Sequence, residues 1–220
     1  MDSKVEDYIS AFYSHKLHVE DRCNLQGPSE ELMRVSEFII SCLLEIECQD
    51  IIHIIKKRGI IFDIAHGDVP QFSSLDDCVY KVPILVKDCG LNHITYTQLG
   101  FMLRTRPRKE GADTKYGENH SKTAAQMGLC SIFNARIYTS HLGVAFCDID
   151  KEKQKNLLPK LVLFIPYILN QFASSAKYED VIRSVSFLSE STQKRRLTNI
   201  WSLITQVNKV LPYELQIIRY

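Results

Sequence analysis

Several things that would announce a function are missing from this chain of 220 residues. No apolar run approaches the roughly 18 residues that would nominate a membrane span. The opening Met-Asp-Ser-Lys-Val-Glu-Asp is acidic and has no apolar signal core, so the expected compartment is the cytoplasm. There is no phosphate-binding glycine loop, nucleophile elbow or His-Glu-x-x-His, so no catalytic residue, no cofactor and no enzyme activity are expected. No Cys-x-x-Cys occurs either. The seven cysteines are odd in number and irregularly spaced, with apolar neighbours at Cys42, Cys130 and Cys147, which predicts buried free thiols rather than disulfides. His15, His18 and Cys23 lie close together, but structural zinc takes ligands in paired sets. The next sulfurs, Cys42 and Cys48, fall inside an apolar helical pattern, so no metal is expected. Internal repeats and low-complexity tracts are absent as well.

What the chain does have is a split charge. Residues 1–78 hold 7 Lys and Arg against 15 Asp and Glu, a net of −8, while residues 79–220 hold 20 against 11, a net of +9. The overall +1 hides this polarity. Clustered cations raise the local potential and displace counterions from a polyanion, which an evenly mixed surface cannot do. At 45% apolar and 24% charged, the composition is that of an ordinary globular protein with a real core.

The acidic segment reads as helical. Pro28-Ser29-Glu30-Glu31 offers a cap and first-turn carboxylates, and Leu32, Val35, Ile39, Leu43 and Ile46 recur as one buried face. Asp50 offers a second cap, Lys56-Lys57-Arg58 a favourable C-terminal turn, and Gly59 a stop. Residues 60–62 form a short strand candidate, and residues 63–77 read as a loop that puts a domain boundary near residue 78.

In the basic segment, Thr95 and Gln98 form a capping box and Ile94 and Leu99 a hydrophobic staple, predicting a short helix that ends near Leu103. Pro107 and Gly111 keep the basic stretch 104–111 out of a helix. A second helix is predicted from about Glu118 to Met127, with Gly128 as its stop and Leu129 folding back. Residues 135–146 then alternate like a strand running into a small turn. Asp148 or Asp150 caps a charged turn, Pro159 and Pro166 predict a broken helix, and a last helix begins at Ser189 with Leu197, Ile200, Trp201, Ile204 and Val207 on one face. Helix, turn, helix and wing is the order of a winged helix.

Residues 115–129, the Tyr-Thr-Ser-His-Leu-Gly stretch at 138–143, residues 157–172 and residues 188–198 followed by Trp201 together resemble a winged-helix DNA-binding module that accompanies bacterial restriction-endonuclease-type and defence proteins. The resemblance covers about residues 80–210. It implies a mainly α fold with a small β wing: an acidic helical domain, 1–78, and a basic winged-helix domain with a helical extension, 79–220. Such modules often precede a nuclease domain, and no such domain is expected here. The residues themselves point the same way. Asn119, Lys122, Thr123 and Gln126 can face outward from the second helix, where Asn and Gln suit adenine edges and Lys suits guanine or phosphate. Lys194, Arg195 and Arg196 oppose the dipole of the helix they open, which makes sense where a phosphate compensates them. Arg104, Arg106, Arg108, Lys109, Lys115 and Arg136 complete the expected DNA-binding set.

The expected function is therefore binding of double-stranded DNA, as a non-catalytic component of a defence or mobile-element system. The acidic segment would dock a protein partner or a second copy. Three rivals stay open: a homodimeric transcriptional regulator, a small metal-dependent nuclease using Asp113 and Lys115, and an adaptor whose basic face meets an acidic protein.

Overall fold

The computed structural model describes residues 6–7, 30–90, 93–105, 109 and 111–219. His15, His18, Cys23, Pro28, Ser29, Arg106, Pro107 and Arg108 lie outside the described residues, as does the Leu32 side chain. Among the described residues the fold is mainly helical, with one small antiparallel sheet.

Helix α1 (Glu30–Glu45) buries Ile39, Ile40 and Leu43, whereas Val35 stays 45% exposed, so the apolar stripe turns inward only from its second half. Helix α2 (Cys48–Arg58) starts at Glu47, and Asp50 acts three residues later than a cap, its carboxylate accepting the Glu47 N–H at 3.4 Å. Gly59 ends the helix at φ 64°, the left-handed conformation that favours glycine. The strand expected at 60–62 does not form. Instead the Asn170 side-chain amide takes the place of a neighbouring strand, accepting from the Phe62 N–H at 3.3 Å and donating to the Phe62 carbonyl at 2.8 Å. One residue satisfied by one amide needs no ladder.

A π turn (Asp77–Lys81) feeds α3 (Val82–Asp88), with Pro83 in the first turn where its missing N–H costs nothing. Strand β1 (Ile94–Thr95) is next, then α4 (Tyr96–Leu103), opened by the expected box: Thr95 Oγ1 accepts from the Gln98 N–H at 3.2 Å, and Gln98 Oε1 accepts from the Thr95 N–H at 2.8 Å. Helix α5 (Ala112–Gln126) begins six residues before the expected start, directly after Gly111. It ends as expected: the Leu129 N–H reaches back to the Ala124 carbonyl and the Gly128 N–H to Ala125.

Strands β2 (Cys130–Phe133) and β3 (Arg136–Thr139) form a hairpin, and β3 lies between β1 and β2, with Ile137 paired to Ile94 on one side and Ile132 on the other. The two-residue turn places Asn134 at φ 48° and Ala135 at φ 57°. The strand expected over 135–146 stops at Thr139 because Ser140 caps a helix, α6 (His141–Asp148), its Oγ accepting the Gly143 N–H at 2.9 Å and donating to the Gly128 carbonyl at 2.7 Å.

Asp150 caps α7 (Lys151–Leu163), in which Pro159 is tolerated, and the chain breaks before Pro166, which opens α8 (Pro166–Ala173). Helix α9 (Tyr178–Arg183) leads to α10 (Glu190–Asn208), whose Ile200, Trp201, Ile204 and Val207 are buried as the spacing predicts, with Leu197 half-buried. One buried apolar cluster runs from Ile39 to Ile217 and includes residues on both sides of the expected boundary at 78. The six cysteines among the described residues are all free, and burial pushes the Cys48 thiol up to about 12. No helix among the described residues is long and apolar enough to cross a membrane.

Candidate functional site

Helices α4 and α5 cross with their backbones in near contact, and two glycines allow it. A Cβ on Gly100 would lie 1.8 Å from the Asp113 carbonyl oxygen, and one on Gly117 would lie 1.9 Å from that of Tyr96. No side chain fits in either gap. With that crossing set, α5 presents two neighbouring stripes. One carries Lys115, Glu118, Asn119 and Lys122; the other carries Tyr116, His120 and Thr123.

The second stripe lies beneath residues 65–74, a strap that the sequence suggested as a linker. His120 is fully buried: its Nδ1 meets the Tyr116 carbonyl at 2.7 Å, while Nε2 accepts from the N–H groups of Ser73 and Ser74 at 3.4 and 3.3 Å. Thr123 Oγ1 reaches the Gln71 carbonyl at 3.3 Å, Gln126 Nε2 donates to the Asp68 carbonyl at 2.9 Å, and Arg196 donates from α10 to the Val69 carbonyl. Four side chains thus satisfy five backbone groups of one loop, which is how an irregular segment can be held against a core.

Tyr116 anchors the other end. Its ring stacks on His120 at 3.8 Å and its hydroxyl donates to Asp77 at 2.6 Å; the second Asp77 oxygen takes Lys81 at 2.7 Å. Burial pushes the Asp77 carboxyl up, but the hydrogen bonds from Lys81 and Tyr116 outweigh it and hold that carboxyl below its ordinary value.

The open stripe is not simply basic. Glu118 bridges Lys115 at 2.8 Å and Lys122 at 2.7 Å, and those two hydrogen bonds hold its carboxyl below the ordinary value. Arg104 pairs with Asp113 at 3.3 Å and lies 4.0 Å over the exposed Phe101 ring. Lys109, Arg136, Lys194 and Arg195 are exposed.

The expected DNA-binding set therefore divides. Lys115, Asn119 and Lys122 share one stripe of α5. Thr123, at 1% exposure, and Arg196, at 8%, do not face solvent as expected, because the strap's carbonyls are their partners; Gln126 is half-buried for the same reason. Arg106 and Arg108 lie outside the described residues. The Asp113 and Lys115 of the nuclease rival each hold a different partner, Arg104 and Glu118, and no group of three His, Cys, Asp or Glu that could hold a metal occurs among the described residues.

Sequence reading missed Glu118, whose position three residues after one lysine and four before the next is a legible ion-pair spacing. It also missed His120 and Asp77, whose partners are 46 and 39 residues away in the chain and leave no local signal. Compared with protein-family models, curated proteins and solved structures, the chain matches none of them.

Proposed function

We propose that this protein binds double-stranded DNA through a winged-helix arrangement, with α5 as the reading helix and the β2–β3 hairpin as the wing. One observation carries the reading: α3, β1, α4, α5 and the hairpin occur in that order, and β3 sits between β1 and β2. That order puts the exposed stripe of α5 and the hairpin tip with Arg136 on the same module. Asn119 is assigned to a base edge, and Lys122, Lys194, Arg195 and Arg136 to phosphates. Thr123 and Gln126 leave the assigned set because the strap's carbonyls are their partners, and Arg196 is no longer among the solvent-facing phosphate contacts. The resemblance to defence-associated winged-helix modules supports reading the chain as a non-catalytic DNA-binding component of a defence or mobile-element system, with a protein partner or second copy on the acidic segment.

The test is a salt titration of duplex binding by the full chain. Affinity should fall steeply as salt rises, and Lys194→Ala with Arg195→Ala should weaken binding to every sequence alike and flatten that dependence. Absence of duplex binding at low salt sinks the reading.

A further inference from the structure

We infer that the cleft between the strap and α5 is a binding site for a phosphate group. The cleft has a volume of about 130 Å³, and Lys115, Asn119, Lys122 and Arg196 are among its lining residues. Arg196 is the reason to expect a ligand. It is 8% exposed, it makes one hydrogen bond, to the Val69 carbonyl, and its Nε has no hydrogen-bond partner. Among the described residues no carboxylate pairs with it.

A buried charge without a counter-charge is costly. A lysine or histidine could escape by releasing its proton, but a guanidinium keeps its charge under all ordinary conditions. Burial, and after it the neighbouring Arg195, push the Arg196 guanidinium down from its ordinary value. The charge still has to be balanced, and an anion bound in the cleft would balance it.

The rest of the lining fits that anion. Three cations, Lys115, Lys122 and Arg196, face one carboxylate, Glu118, so two positive charges are in excess. Phosphate, with charge spread over several oxygens, is the group that combined ammonium and guanidinium donors suit. The volume is slightly below that of the ~150 Å³ cavity known to take up benzene. It holds an oxyanion and leaves no room to enclose a nucleoside, so anything attached to the phosphate must lie outside. The phosphate can come from the backbone of a duplex or from a free phosphorylated molecule, and the site does not depend on the duplex reading.

The full chain should be titrated with inorganic phosphate, following thermal unfolding, against sodium chloride at matched ionic strength. Saturable stabilisation by phosphate beyond the chloride series is expected. Lys122→Gln removes an exposed cation without touching the core, and should weaken the apparent affinity about tenfold. Arg196→Gln should abolish the phosphate effect whatever it does to stability. No phosphate-specific stabilisation, or stabilisation equal in wild type and Lys122→Gln, overturns the site. Competition then identifies the source: phosphate that displaces bound duplex places a backbone phosphate in the cleft, and phosphate that saturates without displacing duplex assigns the cleft to a free phosphorylated molecule. If duplex binding fails at low salt while phosphate still stabilises, the duplex reading falls and this site stands.

Discussion

The two neighbouring stripes of α5 both carry polar side chains and serve opposite ends. Lys115 and Lys122 are exposed and Asn119 half-buried, with Glu118 tying the lysines together, while one residue further round His120 and Thr123 are closed under the strap. Each covered side chain has a backbone group as its partner. The contrast teaches that a polar helix face is not by itself a binding face. What decides is whether the chain elsewhere supplies carbonyls and N–H groups in need of partners, and the strap between Ala65 and Ser74 supplies them.

The strongest way to break this division is to move α5 itself. Gly117 faces α4, away from both stripes, and a methyl group there would collide with the Tyr96 carbonyl at 1.9 Å. Backbone cannot yield as a flexible side chain can. Gly117→Ala is expected to cost at least about 3 kcal/mol, the upper range for overpacking, despite alanine's better helix propensity. Thermal or denaturant unfolding measures it. A loss below about 1 kcal/mol, the low end for overpacking, would mean that α4 and α5 separate easily, and that the two stripes are not fixed in their orientations.

A smaller effect tests the covered side alone. Asp77 accepts from Tyr116 and Lys81, and Tyr116 stacks on His120 beneath the strap. Because the folded state depresses the Asp77 carboxyl, its contribution is present above the unfolded value of about 3.9 and is lost as pH falls through the folded value. Asp77→Asn should therefore destabilise by about 1.5–3 kcal/mol near neutral pH, the range for a hydrogen bond to a charged group. The gap from wild type should close as pH falls below about 4. A gap independent of pH would put the loss down to shape rather than charge.

Much of the fold is legible in the sequence because it is set locally. The Thr95–Gln98 box, the Gly128 stop and the buried face of α10 depend on residues within one or two turns of each other. The failures have distant causes. Residues 60–62 find their partner in Asn170 rather than in a strand, and Thr123, Gln126 and Arg196 are drawn inward by carbonyls 52, 58 and 127 residues away. In the candidate site, the exposed stripe is set by helical spacing alone, but its length is not, since the strap that ends it is invisible to periodicity.

The most direct comparison uses the same chemical group on both sides of the strap's edge. Asn119 and Gln126 both carry an amide on α5, and sequence alone gives them one role. In the structure Gln126 donates to the Asp68 carbonyl at 2.9 Å, whereas no hydrogen bond involves the Asn119 side chain among the described residues. Gln126→Ala removes a donor from a partly buried carbonyl and is expected to cost about 1 kcal/mol, little of it from propensity because glutamine and alanine are both good helix formers. Asn119→Ala removes no internal partner and replaces a weaker helix former, so its stability should stay within about 0.5 kcal/mol of wild type or rise slightly. Duplex binding should reverse the ranking. Asn119→Ala should lower preference for a selected site by about 1–3 kcal/mol per lost base contact, while Gln126→Ala leaves that preference unchanged. Unfolding curves and paired titrations on selected and random duplex measure both effects. If Gln126→Ala alone erodes site preference, Gln126 must leave the Asp68 carbonyl of the strap when the protein meets DNA, and the covered stripe becomes part of the reading surface.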